Sequence, residues 1–195
     1  MLRSFDKYEA VVVGASAGGL GALTDILGSL PASYPLPIIV VQHRSNEQPT
    51  LLEEVLANKC QINIRQAEEK ESILSGTVYF APPDYHLLIE EDRTFSLSFD
   101  PPVNFSRPAI DVLFETAAVV YGRSLVAAIL TGASSDGAEG IRAIRKAGGT
   151  TIAQSPHSAP YPTMPRAAID TGCVDHIFEL HEITNALLAL GEYHS

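Results

Sequence analysis

Val11-Val12-Val13-Gly14-Ala15-Ser16-Ala17-Gly18-Gly19 reads as a strand that runs into a tight turn. Three β-branched residues suit a short buried strand, and the small residues after them suit a sharp change of direction. Leu20, Leu23, Ile26 and Leu27 then recur at helical spacing. The unit is therefore strand, turn, helix. Gly14 to Gly18 fits G-x-S-x-G, a pattern that lifts a serine hydroxyl off the carboxyl edge of a sheet. The helix amino terminus behind it offers unpaired N–H donors and the positive end of a dipole, which suits a developing oxyanion.

The same turn has other readings. A glycine-rich first turn also opens dinucleotide-binding folds, with phosphate on the helix terminus. That fingerprint wants glycine where Ser16 stands and an acidic residue after the second strand, which here ends in Gln42-His43. No Gly-Lys-Ser/Thr follows Gly14, so a P-loop is excluded. The turn is also similar to that of short-chain dehydrogenases, but none of the 7 tyrosines has a lysine four residues on. Glycines placed only for close helix–strand packing are the structural alternative.

Outward from this unit, strands and helices alternate. Pro37 to Val41 is a second strand, and its continuous apolar run is that of a parallel strand covered on both faces. A helix is expected over Leu51 to Leu56 and a short strand over Ile62 to Ile64. From Gly76 to Phe99 the period falls to about two, which predicts a hairpin region at one edge of the sheet. Ala109 to Tyr121 is helical and Leu125 to Leu130 is another buried strand. A second small-residue turn, Thr131 to Gly137, leads into a helix over Ala138 to Lys146 that Gly148-Gly149 closes. Thr150 to Ala153 and Val174 to Ile177 are strands, and Met164 to Ile169 and Ile183 to Leu190 are helices. The expected fold class is α/β: a doubly wound, mostly parallel sheet with helices on both faces. Residues 1–195 are read as a single domain.

The composition fits a globular chain, with 46% hydrophobic and 18% charged residues. The net charge of -10 and the lack of a Lys/Arg cluster argue against nucleic acid as a partner. No apolar run is long enough to span a membrane, and the start lacks the core of a secretory signal, so a cytoplasmic location is expected. Cys60 and Cys173 are expected to be reduced and buried. Neither has metal-ligand spacing to another Cys or His, so no metal is expected.

In sheets of this class, sites lie at the carboxyl ends of strands. Three such ends carry useful chemistry: Ser16, Gln42-His43 and Asp136. A serine needs a base, and a histidine base needs a carboxylate to fix its tautomer. Chain order does not restrict such a set. Each member has competitors. His86, His157, His176, His181 and His194 also qualify as base, and Asp111 and Asp84 as acid. His43 reads equally as a core histidine, and Asp136 as the N-cap of the helix that follows it.

Four segments resemble the catalytic domain of chemotaxis-type protein-glutamate methylesterases, the CheB family. They are Val13 to Gly19, Val41-Gln42-His43, Arg107 to Phe114, and Leu130-Thr131-Gly132 with Asp136 to Gly140. Ala81 to Leu87 and Met164 to Ala168 add to the likeness, and the set covers nearly the whole chain in the family's order. The resemblance implies Ser16 as nucleophile, His43 as general base and acid, and Asp136 as the orienting carboxylate. It implies removal of methyl groups from glutamyl methyl esters of chemoreceptors, in some members also glutamine deamidation, with no cofactor. Ala17 stands where the family commonly has threonine, and Ala133-Ser134 where it commonly has Met-Gly. A first strand near Glu9 leaves no room in this sequence for an amino-terminal receiver domain. The expectation is either a fragment of a longer protein or an enzyme regulated otherwise, for instance by a separate regulator.

Overall fold

The computed structural model describes residues 8–43 and 52–192. The quoted stretch forms strand β1 (Ala10–Ala15) and helix α1 (Gly19–Gly28). The other elements are β2 (Ile38–Gln42), α2 (Leu52–Ala57), β3 (Asn63–Gln66), β4 (Thr77–Phe80), β5 (His86–Ile89), β6 (Phe95–Ser98), α3 (Ile110–Tyr121), β7 (Leu125–Ile129), α4 (Ala138–Ala147), β8 (Thr150–Gln154), α5 (Thr163–Asp170), β9 (His176–Phe178) and α6 (Leu180–Glu192). Seven strands make one sheet in the order β3-β4-β2-β1-β7-β8-β9, and its pairs are parallel.

The stretch from Gly76 to Phe99 divides in two. Its first strand joins the parallel sheet beside β2, while β5 and β6 form a two-stranded antiparallel ribbon of their own. Local periodicity does not distinguish these fates, because β4 is buried along its whole length. The expected helix start at Leu51 lies outside the described residues.

The alternation of side chains along each strand feeds two cores. Val11, Val13, Val40 and Ala128 face α1, α2 and α6. Val12, Ile39, Val41 and Ala127 face α3, α4, α5 and the ribbon. Burying both faces explains the continuous apolar runs. Each fully buried Val, Leu or Ile contributes about 1.5–3 kcal/mol relative to exposure.

The chain builds the sheet outward from β1 on one side through β2, and later crosses back to add β7 on the other. The crevice at the carboxyl ends of these three strands is the switch point of the sheet. One side chain fixes what stands behind it. Ile110, the first residue of α3, packs where a Cβ on Gly14 or on Gly137 would lie, 2.6 and 2.8 Å from its Cγ2. Any larger residue at either position would push the start of α3 away from the crevice. Cys60 and Cys173 are free thiols and half-buried, less enclosed than their apolar neighbours suggest.

Candidate active site

Ser16 stands one residue past β1, and His43 one residue past β2. Ala15 and Gln42 are register partners, so the two follow neighbouring positions at the same sheet edge. The His43 N–H donates to the Ala15 carbonyl at 2.9 Å, which extends the pairing by one step. Gln42 fastens the two turns together. Its Nε2 donates to the carbonyl of Ser16 and to that of His43, each at 2.8 Å. On the other side, the Ser16 N–H donates to the Thr131 carbonyl at 3.0 Å. Thr131 Oγ1 donates to the Ala17 carbonyl at 2.9 Å and accepts from the Tyr161 N–H at 2.9 Å. The Gly132 N–H donates to the Tyr161 carbonyl at 2.9 Å. The serine turn is thus held from both flanks, by the Gln42 and Thr131 side chains as well as by backbone bonds.

Asp136 comes to this edge from the turn between β7 and α4. His43 Nε2 lies 2.7 Å from Asp136 Oδ2. With the carboxylate ionised, Nε2 carries the proton and donates it, leaving Nδ1 as the lone-pair side of the ring. Asp136 does not cap α4, the helix it precedes. Its Oδ2 accepts the Ile110 N–H at 2.7 Å and its Oδ1 the Asp111 N–H at 3.1 Å, so it caps α3. That explains why the α3 N-cap, Ala109, has no side-chain cap of its own. Burial acts to raise the Asp136 pKa, but the bonds from His43, Ile110 and Asp111 outweigh it and hold the carboxyl below its ordinary value.

A second carboxylate sits behind the first. Asp111 is buried and its Oδ1 accepts the Gly140 N–H at 2.7 Å, in the first turn of α4. Burial is the main cause that pushes its pKa up to about 6, and the charges of Asp136 and Glu115 add to it. Asn104 lies between the two acids. Its Nδ2 donates to Asp111 Oδ2 at 2.7 Å and to Asp136 Oδ1 at 3.3 Å. Asn104 carried no signal in the sequence beyond standing three residues before Arg107-Pro108.

The competing histidines lie elsewhere or are engaged. His86 is buried, with Nδ1 accepting the Ala109 N–H and Nε2 near the Pro101 carbonyl, both at 3.2 Å. It ties the ribbon to the α3 entry. His176 stacks on Phe178 in β9. His157 and His181 are exposed, and His194 lies outside the described residues. Asp84 is an exposed turn residue with φ 66°. The nucleotide reading fares poorly on this geometry. The space above Gly14 holds Ile110, and Gln42 spends its amide on backbone carbonyls. Among the described residues, no group of three or more His, Cys, Asp or Glu is placed to hold a metal ion.

The CheB methylesterase family model matches residues 11–187. The chain belongs to that family. CheB methylesterases are carboxylic ester hydrolases. The crystal structure of the Thermotoga maritima CheB methylesterase catalytic domain superposes with a TM-score of 0.89 at 33% identity, covering 94% of this chain and 98% of that one. A protein-glutamate methylesterase/protein-glutamine glutaminase of Anaeromyxobacter dehalogenans is 40% identical over 184 residues, and one of Salmonella typhimurium is 38% identical over 184. The chain spans about half the length of these two, 54% and 52%. A Leptospira interrogans relative is 49% identical over 186 residues, and the match covers 96% of its length. Its name carries the same two activities as a provisional assignment. The fold resemblance read from the four segments thus agrees with both kinds of comparison.

Proposed function

We propose that this chain is one catalytic unit that hydrolyses glutamyl methyl esters on a methylated chemoreceptor or a similar signalling protein, through Ser16, His43 and Asp136. The observation that carries the proposal is the 2.7 Å bond from His43 to Asp136 at the same edge as Ser16, within a CheB methylesterase fold. Ser16 Oγ attacks the ester carbonyl while the His43 ring takes its proton. The tetrahedral intermediate collapses, His43 protonates the leaving oxygen, and methanol departs. Water, deprotonated by His43, then releases the glutamate carboxylate and returns the proton to Ser16. Asp136 supports the imidazolium in both halves.

The N–H groups of Ser16 and Gly132 are engaged with carbonyls. Among the described residues, those of Ala17 and Ala133 are the candidate oxyanion donors. Attack on a glutamine side chain would follow the same path and release ammonia, in keeping with the glutaminase half of the relatives' names. No metal or cofactor enters this scheme. A neutral methyl ester needs no charged clamp, so the substrate protein would be read by the exposed aromatic turns that border the site. Phe105 adjoins Asn104 and is fully exposed, and Tyr161 is half exposed beside Gly18. No helix among the described residues is long and apolar enough to cross a membrane.

The test is methanol release from a peptide carrying a γ-glutamyl methyl ester, by the purified chain and by Ser16→Ala. Turnover by the first and none by the second supports the proposal. Equal release from both would point away from Ser16, and release from neither would sink the esterase reading.

A further inference from the structure

We infer that Asn104 is a positioning residue for the His43–Asp136 pair: its amide separates two buried carboxylates and holds Asp136 in line with the imidazole. The inference rests on the proposed roles of His43 and Asp136, and it deepens them. Three observations carry it. First, one Nδ2 supplies a proton to each acid, at 2.7 Å to Asp111 and 3.3 Å to Asp136. No other side chain among the hydrogen bonds at this site bridges the two. Second, the backbone is built to aim that amide. Asn104 and Phe105 have φ 50° and 62°, both left-handed, and Val103 and Ser106 exchange two backbone bonds at 3.1 and 2.9 Å across them. This is the geometry of a tight type I′ turn, where asparagine is one of the few residues at ease at the first central position. Third, the turn connects directly to the segment that holds the helix. Four residues on, cis-linked Pro108 and Ala109 lead into Ile110, whose N–H is itself bound to Asp136.

The physical need is clear from the charges. Asp111 and Asp136 both enter the interface of α3 and α4 to cap those helices, and two carboxylates placed close together repel. Without a donor between them, Asp136 would be drawn away from His43 or share a proton with Asp111. Either event removes the anion that orients the imidazole. The charged and titratable groups that face this cluster are Asp111 and Glu115 on α3, Asp136 before α4, and His43 after β2. A neutral donor is therefore required, and the amide meets the requirement where a carboxylate of the same shape would not.

Two substitutions keep the turn and change only the amide. Asn104→Gly tolerates the left-handed backbone and removes the donor. Asn104→Asp tolerates it and replaces the donor with a third negative charge. Each is compared with wild type in two ways: by NMR titration of the His43 ring, and by kcat and KM for a small glutamyl methyl ester. The inference expects Asn104→Asp to move the His43 titration, and the acid limb of kcat/KM, to higher pH. It expects Asn104→Gly to weaken or shift the low-field His43 Nε2 proton signal and to lower kcat by about tenfold or more, with KM within about twofold. A His43 titration and proton signal that match wild type in both variants would overturn it. The NMR readout does not depend on turnover. An inactive wild-type chain with a perturbed His43 in the variants would therefore refute the esterase reading while supporting the role of Asn104.

Discussion

Asp136 and Asp111 cap each other's helices. Asp136 precedes α4 but accepts the first two N–H groups of α3, one of them belonging to Asp111. Asp111 lies in α3 but accepts the Gly140 N–H in the first turn of α4. The orienting carboxylate proposed for catalysis is therefore also a fixture of the helix interface. Its direction is set jointly by these two backbone N–H groups and by the Asn104 amide on Oδ1.

Replacing Ser16 with alanine removes only a hydroxyl. The backbone of the turn is held by the Gln42 and Thr131 side chains and by backbone bonds, none of which uses the Ser16 hydroxyl. Turnover of a glutamyl methyl ester should be lost, while the melting temperature stays within about 2 °C of wild type. Thermal melts and methanol assays on the same preparation check both halves. His43→Gln should be nearly as damaging to turnover, because base and nucleophile act as a unit.

Asp136→Asn should lower kcat on the order of 10⁴-fold, since the neutral side chain no longer fixes the imidazole tautomer. If its only duty were to cap α3, the variant would melt earlier yet keep the wild-type kcat. Single-turnover kinetics beside a melting curve separate these outcomes.

Gln42→Leu removes the amide that bridges the Ser16 and His43 carbonyls. Leucine keeps much of the volume but takes the Gln42 donor from the His43 carbonyl and leaves the Ser16 carbonyl with the Gly19 N–H at 2.8 Å. The expected loss is about 2 kcal/mol, or about 4–8 °C in melting temperature for a chain of this size. Denaturant unfolding measures it directly, and an unchanged midpoint would show that water replaces the amide without cost.

The Asp111 pKa of about 6 has a definite sign for stability. An acid whose folded pKa is raised favours the folded state below its unfolded pKa, and that contribution is lost as pH rises through the folded value. Asp111→Asn cannot ionise. Its stability relative to wild type should therefore increase as pH goes from about 4 to about 7. Urea midpoints of the two proteins across that range give the result, and parallel curves would place the Asp111 pKa near its ordinary value.

Phe105 is fully exposed beside the site and packs no core. Phe105→Ser should leave kcat and KM for a small ester unchanged and raise KM for a methylated receptor fragment. Equal KM values for the fragment would remove Phe105 from substrate recognition.

The α/β architecture was legible because its causes are local. The apolar run Ile38 to Val41, the helical spacing of Leu20, Leu23, Ile26 and Leu27, and the turn at Gly14 to Gly18 each report their element without reference to the rest of the chain. The four family-like segments added the order of the strands' functional ends. Tertiary structure decided what those segments do to one another. Nothing in the residues around Asp136 says that it caps α3 and not α4. That depends on Ile110 filling the space over Gly14 and Gly137. Thr77–Phe80 entered the parallel sheet, and not the ribbon, because β2 and β3 were there to pair with both of its edges. Asn104 was silent for the same reason, and Gln42, though singled out at its strand end, gave no sign of what its amide holds. An amide's chemistry is fixed by the residue, but its partners are set by segments 7 to 32 positions away for Asn104 and 26 away for the Gln42 bond to Ser16. Sequence determines which groups can donate and accept. Packing alone determines which of them meet.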